Sequence, residues 1–285
     1  MPQAVLADVA LNYIEAGAGQ SVVLVHGMGC GWRMWRSQIR ALRPHFRVIA
    51  YDQRGHGQSS APDDEAAYSL AALADDLGGL IRRLDLAPAL IVGLSLGGAV
   101  AIELAIRQPE LAAALVVADA GSGSDDPAAA RRLADEWAAT TRAEGMDGFV
   151  RLMMASPFFE GYLRSGSRRA RCQLELLVRR NQAHAMACLM SQALGRRQPV
   201  YARKAELARL RQPTLVICGE RDRATRKPSA FLAETIPDAA LVVLPKLGHM
   251  TNLEAPRLFN ATMLDFLTQV GAAPARAARS TVVNQ

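Results

Sequence analysis

The stretch Gly93-Leu94-Ser95-Leu96-Gly97, extended by Gly98, constrains this chain more than any other. It follows the apolar run Ala89-Leu90-Ile91-Val92 and leads into Ala99-Val100-Ala101-Ile102-Glu103-Leu104-Ala105, which reads as helix. A chain passing from strand to helix through G-x-S-x-G must turn so sharply that the serine is held strained, its Oγ pushed out above the sheet. Glycines two before and two after the serine carry no Cβ, so strand and helix can approach closely around the turn. Ser95 is therefore the candidate nucleophile.

The rest of the chain supplies a sheet for this turn to sit on. Val9 to Glu15 alternates apolar and polar residues and predicts an edge strand. Val22-Val23-Leu24-Val25, Phe46 to Tyr51, Leu115-Val116-Val117, Thr214 to Ile217 and Leu241 to Leu244 are short apolar runs of strand character. Between them, Met34 to Leu42 and Ser69 to Leu86 carry apolar residues at helical spacing, with Ser69 placed to cap the second. A closing helix is expected from about Leu253 to Gln269. Fully apolar strands alternating with amphipathic helices imply a mostly parallel sheet covered on both faces, an α/β architecture.

The βα rhythm breaks after Asp119 and resumes at Thr214. We expect an α/β core over residues 1–120 and 213–270, a helical cap inserted at 121–212, and a small, polar, unstructured tail at 271–285. Half of the residues are hydrophobic and 21% charged, enough apolar mass for one large buried core. No apolar run approaches the roughly 18 residues of a membrane span. Met1 to Glu15 carries Asp8 and no basic segment, so a secretory signal is not expected. The four cysteines, Cys30, Cys172, Cys188 and Cys218, are scattered without a C-x-x-C pair. With Cys218 inside an apolar strand, they imply a reducing, cytoplasmic setting without disulfides.

Charge is unevenly spread. From Arg164 to Arg211 there are 12 Lys/Arg against Glu175 and Glu206, a local +10 in a chain of net +6. Aromatic residues are few, and nothing resembles a nucleic-acid module. The segment reads as a solvated basic helical face or as a field for anionic substrates or an acidic carrier protein.

A serine hydroxyl needs a base, and the base needs an orienting carboxylate. The chain has five histidines, His26, His45, His56, His184 and His249. His249 lies in the loop after the last strand, at the sheet edge where the Ser95 turn also lies, and is the candidate base. The acid is expected after the preceding strand, in Gly219-Glu220-Arg221-Asp222. Asp222 is the choice, with Asp119 as positional alternative and Glu220 expected to pair with an arginine. Two backbone donors are needed for an oxyanion: Leu96 N–H, next to the nucleophile, and Met28 N–H, in the loop His26-Gly27-Met28-Gly29. His26 is expected to brace that loop. No His/Asp/Glu cluster has metal-ligand spacing, and neither metal nor cofactor is expected.

These pieces together resemble the capped serine hydrolases of the α/β-hydrolase fold. His26-Gly27-Met28-Gly29 with Trp35, Asp52-Gln53-Arg54-Gly55-His56-Gly57-Gln58-Ser59, the Ser95 turn, Gly219 to Asp222 and Gly248-His249 occur in the family's order. The resemblance implies ester or lactone hydrolysis through an acyl-enzyme, with Asp52 to Ser59 a structural loop and His56 without chemistry. Gly248 to Pro256 and the turn are similar to those of 3-oxoadipate enol-lactonases and related carboxylesterases; biotin-pathway methyl esterases share Ser-Leu-Gly-Gly. Serine at position 95, where epoxide hydrolases and dehalogenases carry aspartate, argues against those two reactions. Carbon–carbon bond hydrolysis, peroxide-dependent chemistry on the same residues, and a weakly catalytic receptor are the alternative readings.

The insertion is expected to set specificity. Trp137, Met153, Met154, Phe158, Phe159, Met186 and Met190 are its candidate pocket residues, Trp137, Met153, Phe158 and Met186 foremost, and His184 a surface or packing residue. The expected partner is a small-molecule ester or lactone, anionic or linked to a carrier protein, with no nucleic-acid or membrane partner and no oligomeric state legible.

Overall fold

The computed structural model describes residues 1–164 and 167–272. In chain order, the strands are β1 (Gln3–Val5), β2 (Ala10–Ala16), β3 (Ser21–Val25), β4 (Arg47–Tyr51), β5 (Ala89–Leu94), β6 (Ala112–Ala118), β7 (Thr214–Gly219) and β8 (Ala239–Leu244). They form one sheet in the order β1-β2-β4-β3-β5-β6-β7-β8. The first two pairings are antiparallel and the rest parallel. β2 is thus not at the edge, as its alternation predicted: β1, too short to register as a periodic run, covers it.

The helices are α1 (Arg36–Leu42), α2 (Leu70–Arg83), α3 (Leu96–Arg107), α4 (Pro127–Ala155, kinked at Gly145), α5 (Pro157–Leu163), α6 (Arg168–Val178), α7 (Ala183–Leu189), α8 (Lys204–Leu207), α9 (Arg226–Thr235), α10 (Thr251–Glu254) and α11 (Pro256–Ala272). Ser69 caps α2, its hydroxyl accepting the Ala72 N–H at 3.1 Å. The closing helix is in two pieces, because Ala255 leaves helical geometry before Pro256, whose ring forbids continuation. Gly271 and Ala272 belong to α11; the remainder of the expected tail, 273–285, lies outside the described residues. No helix among the described residues is long and apolar enough to cross a membrane.

Strands β3, β5 and β7 are buried along their whole length, which explains their unbroken apolar character. Crossovers from β3 to β4 and from β4 onward run in opposite directions. With right-handed connections this puts helices on both faces. α1 packs with α11, and α2 with α3. The direction reverses between neighbours β3 and β5, so the loops leaving their carboxyl ends diverge over a crevice. One of those loops begins at His26; the other is the Ser95 turn. The chain between β6 and β7 carries α4 to α8.

Candidate active site

Ser95 has φ 57° and ψ −115°, a strained backbone for a residue with a side chain. The strain is imposed by packing. A Cβ on Gly97 would lie 2.0 Å from the Val25 carbonyl oxygen, and one on Gly93 2.2 Å from that of Gly97. Only glycine at both positions lets α3 start this close to β3 and β5. The Ser95 N–H is held by the Ala118 carbonyl at 2.8 Å, so the turn is pinned to β6 as well.

His249 and Asp222 complete a chain of hydrogen bonds. His249 Nε2 lies 2.9 Å from Ser95 Oγ, and His249 Nδ1 lies 2.6 Å from Asp222 Oδ2. A carboxylate only accepts, so the Nδ1 proton points at Asp222 and Nε2 is left to accept the serine proton. Thr225 also donates its hydroxyl to Asp222 Oδ2. Burial alone would raise the Asp222 carboxyl, but the imidazole and these hydrogen bonds win and its pKa falls. Burial would lower His249, and the Asp222 charge and hydrogen bond win there too, so its pKa rises.

Asp119, the alternative acid, has another task. It accepts the Gly219 N–H at 2.9 Å and the Thr251 hydroxyl at 2.5 Å, joining β6, β7 and the segment after His249. Burial, opposed by His249 and reinforced by Asp222, pushes its carboxyl up to about 8. Among the described residues no arginine side chain lies at ion-pairing distance from Glu220, contrary to expectation. Its carboxylate accepts the Lys246 N–H at 2.8 Å, tying together the loops that bear Asp222 and His249.

The loop after β3 lies directly against the serine: a Cβ on Gly27 would be 3.5 Å from Ser95 Cβ. Met28 N–H makes no hydrogen bond within the described chain, while the next amide, Gly29 N–H, donates to His56 Nε2 at 3.1 Å. Leu96 opens α3, where the first N–H groups lack helical acceptors. The Met28 and Leu96 amides thus carry no hydrogen bond among the described residues, one in the loop against Ser95 and the other next to it in sequence. His26 Nε2 accepts the Gln53 N–H at 2.9 Å, leaving its Nδ1 proton for the Gly27 carbonyl at 2.8 Å. Burial lowers the pKa of both His26 and His56, so both act as neutral braces. Asn181, just after α6, donates to the Gly29 carbonyl at 2.8 Å and accepts the Gly57 N–H at 3.0 Å.

Above Ser95 and His249 lies a cavity of about 80 Å³. Trp137, Met153, Phe158, Phe159, Met190 and Leu194 line it from the segment between β6 and β7. The Phe158 ring stands over the His249 ring at 4.6 Å between centroids. Met186 does not line this cavity. It is completely buried in α7, which packs against α4, and Met190, one turn further on, takes the place expected for it. Met154 also faces elsewhere, beside Pro157 and Arg164. Cys30 lines the cavity, but burial pushes its thiol up to about 12 and leaves it inert as a nucleophile. His184 is exposed, near the Ala61 carbonyl. Among the described residues no group of three or more His, Cys, Asp or Glu is arranged to hold a metal ion.

Sequence reasoning missed Glu254, whose two carboxylate oxygens accept the Gly248 N–H at 2.8 Å and the Met250 N–H at 3.1 Å. An acid soon after a Gly-His turn was a legible signal for it. Asn181, by contrast, sits in a segment whose local pattern carried no hint of its reach.

A family model described as the α/β hydrolase fold matches residues 20–256. A candidate carbamate hydrolase, RutD, of Agrobacterium fabrum is 30% identical over 252 residues, covering 87% of this chain and 92% of the relative. The 3-oxoadipate enol-lactonase 2 of Acinetobacter baylyi is 29% identical over 259 residues, covering 89% and 91%. Among solved structures, the enol-lactonase from Burkholderia xenovorans LB400 superimposes with a TM-score of 0.83 at 28% identity, covering 94% of this chain and 100% of that one.

Proposed function

This chain belongs to the α/β-hydrolase fold family and is a hydrolase, and from that premise we propose that it cleaves carboxylic esters or lactones through an acyl-enzyme on Ser95. The observation that carries the reading is the continuous path Ser95 Oγ, His249, Asp222, lying under an apolar cavity and beside two unused backbone N–H groups.

In this reaction His249 Nε2 takes the Ser95 proton as Oγ bonds to the carbonyl carbon. The carbonyl oxygen becomes an oxyanion facing the N–H groups of Met28 and Leu96, each donor worth about 3–4 kcal/mol at the transition state. Asp222 stabilises the imidazolium without taking its proton. His249 then protonates the leaving alkoxide. A water deprotonated by the same nitrogen attacks the acyl-enzyme, and Ser95 recovers its proton as the acid leaves. The helical segment between β6 and β7 acts as the cap, excluding bulk water and bounding the acyl group. A cavity of about 80 Å³ favours short acyl chains.

The test is hydrolysis of p-nitrophenyl esters from acetate to long chains by the wild type and by Ser95→Ala. The expected result is many turnovers on short esters, with kcat reduced by roughly 10³-fold or more in the variant. A wild type inert on every ester and on enol-lactones overturns the reading.

A further inference from the structure

Arg33, Arg36, Arg40 and Arg180 converge on a cleft of about 350 Å³ where the start of α1 faces α6. The cleft has no lining residue in common with the cavity at Ser95. None of the four guanidinium groups has a carboxylate at ion-pairing distance among the described residues. Arginines nearby behave differently: Arg164 pairs with Glu160, and Arg179 with Asp147 and Glu175. Arg33 and Arg36 instead lie against the Trp32 ring, 4.6 and 6.0 Å from its centroid.

Four like charges around one cleft are unfavourable unless a counter-charge joins them. Burial lowers the Arg33 pKa, and the neighbouring Arg180 and Arg36 lower it further. Asp52 is the carboxylate in its field, but its oxygens already accept hydrogen bonds from Asn12, Trp32 N–H and Gln58 N–H. The cleft wall also has an apolar part, with Leu174 and Leu253 beside the arginines, and a volume in the range of small-molecule sites.

We propose that this cleft binds a small organic polyanion, bearing two or more phosphoryl or carboxylate groups on a short apolar body. Guanidinium forks match the oxygen pairs of both anion types, and several of them around one cleft select for multiple charge. The apolar wall takes the carbon skeleton. The proposal stands apart from the reaction at Ser95 and does not depend on it.

Calorimetric titration of the full chain with inorganic pyrophosphate and, separately, with tricarballylate tests it. At least one of the two is expected to bind saturably at a single site, more weakly as salt rises. Binding is expected to be unchanged in Ser95→Ala and at least about tenfold weaker in Arg36→Gln/Arg180→Gln. Both of those side chains are exposed, so the variant is expected to melt like the wild type. Arg40→Gln/Arg180→Gln repeats the test on another pair. The ratio of the two affinities tells phosphoryl from carboxylate ligands. No saturation by either anion up to about 5 mM overturns the proposal, as does binding that survives both double variants. Binding of poly-glutamate alone also overturns it, because the cleft is then a docking face for an acidic macromolecule.

Discussion

Glu254 clamps His249 from both sides: its carboxylate accepts the backbone N–H groups of the preceding Gly248 and the following Met250, at 2.8 and 3.1 Å. The imidazole is thus positioned twice, by Asp222 at its ring and by Glu254 at its backbone. Asp222 fixes the tautomer, whereas Glu254 fixes where the loop stands.

Glu254→Ala removes both acceptors and leaves two amides with only water to serve them. A lost hydrogen bond to a charged group costs about 1.5–3 kcal/mol. If half of that is felt as misplacement of His249, kcat falls roughly 10-fold with KM little changed. Glu254→Gln keeps one acceptor and is expected to fall between. Steady-state kinetics on a short p-nitrophenyl ester reads both, and a change confined to KM would refute the positioning role.

The two acids are separable by one conservative change at each. Asp222→Asn leaves the shape intact but turns the His249 tautomer the wrong way, and is expected to lower kcat by roughly 10³- to 10⁴-fold. Asp119→Asn is expected to cost less than about 10-fold, because Asp119 touches Gly219 and Thr251 rather than the imidazole. Equal losses in the two variants would mean that the acid role is shared.

The pH dependence follows from the same groups. Only neutral His249 accepts the serine proton, and its pKa is raised by Asp222 over the opposing effect of burial. kcat/KM is therefore expected to fall as pH drops through a value above the ordinary histidine 6.5. Stability carries the opposite trend. The folded state holds the Asp119 proton up to about 8, where the unfolded chain has released it near 3.8. The stabilisation is full below the lower value and is lost as pH rises through the upper one. The melting temperature of the wild type should decline across that window more than that of Asp119→Asn, measured by circular dichroism.

Gly97→Ala should not be tolerated. Its Cβ would lie 2.0 Å from the Val25 carbonyl oxygen and 2.7 Å from that of His26, both backbone atoms of the central sheet region. Either β3 or α3 must shift, at about 3 kcal/mol or more, lowering the melting temperature and moving Ser95 with it. Wild-type stability and activity in this variant would show that the turn has slack.

Much of this molecule is determined by short-range rules that any reader of the sequence can apply. The strand–turn–helix around Ser95, the capping of α2 by Ser69, and the alternation of buried strands with helices depend on the sterics of a few successive residues. The loops of the site follow from them, because parallel strands carry Ser95, His26, Asp222 and His249 to the same edge. The tertiary structure decided what lies between those loops. Asp119 and Asp222 follow the ends of adjacent strands; the sequence favours Asp222 as the acid, and the path of each loop gives it the imidazole and Asp119 the Thr251 hydroxyl. Met186 and Met190 share a helical pattern, and only the packing of α7 on α4 determines which one faces Ser95. Glu254 and Asn181 are assigned by contacts across the fold, where a backbone N–H buried by distant packing takes whichever acceptor geometry brings within reach. Local pattern cannot encode that choice, since it depends on the relative placement of elements far apart in the chain.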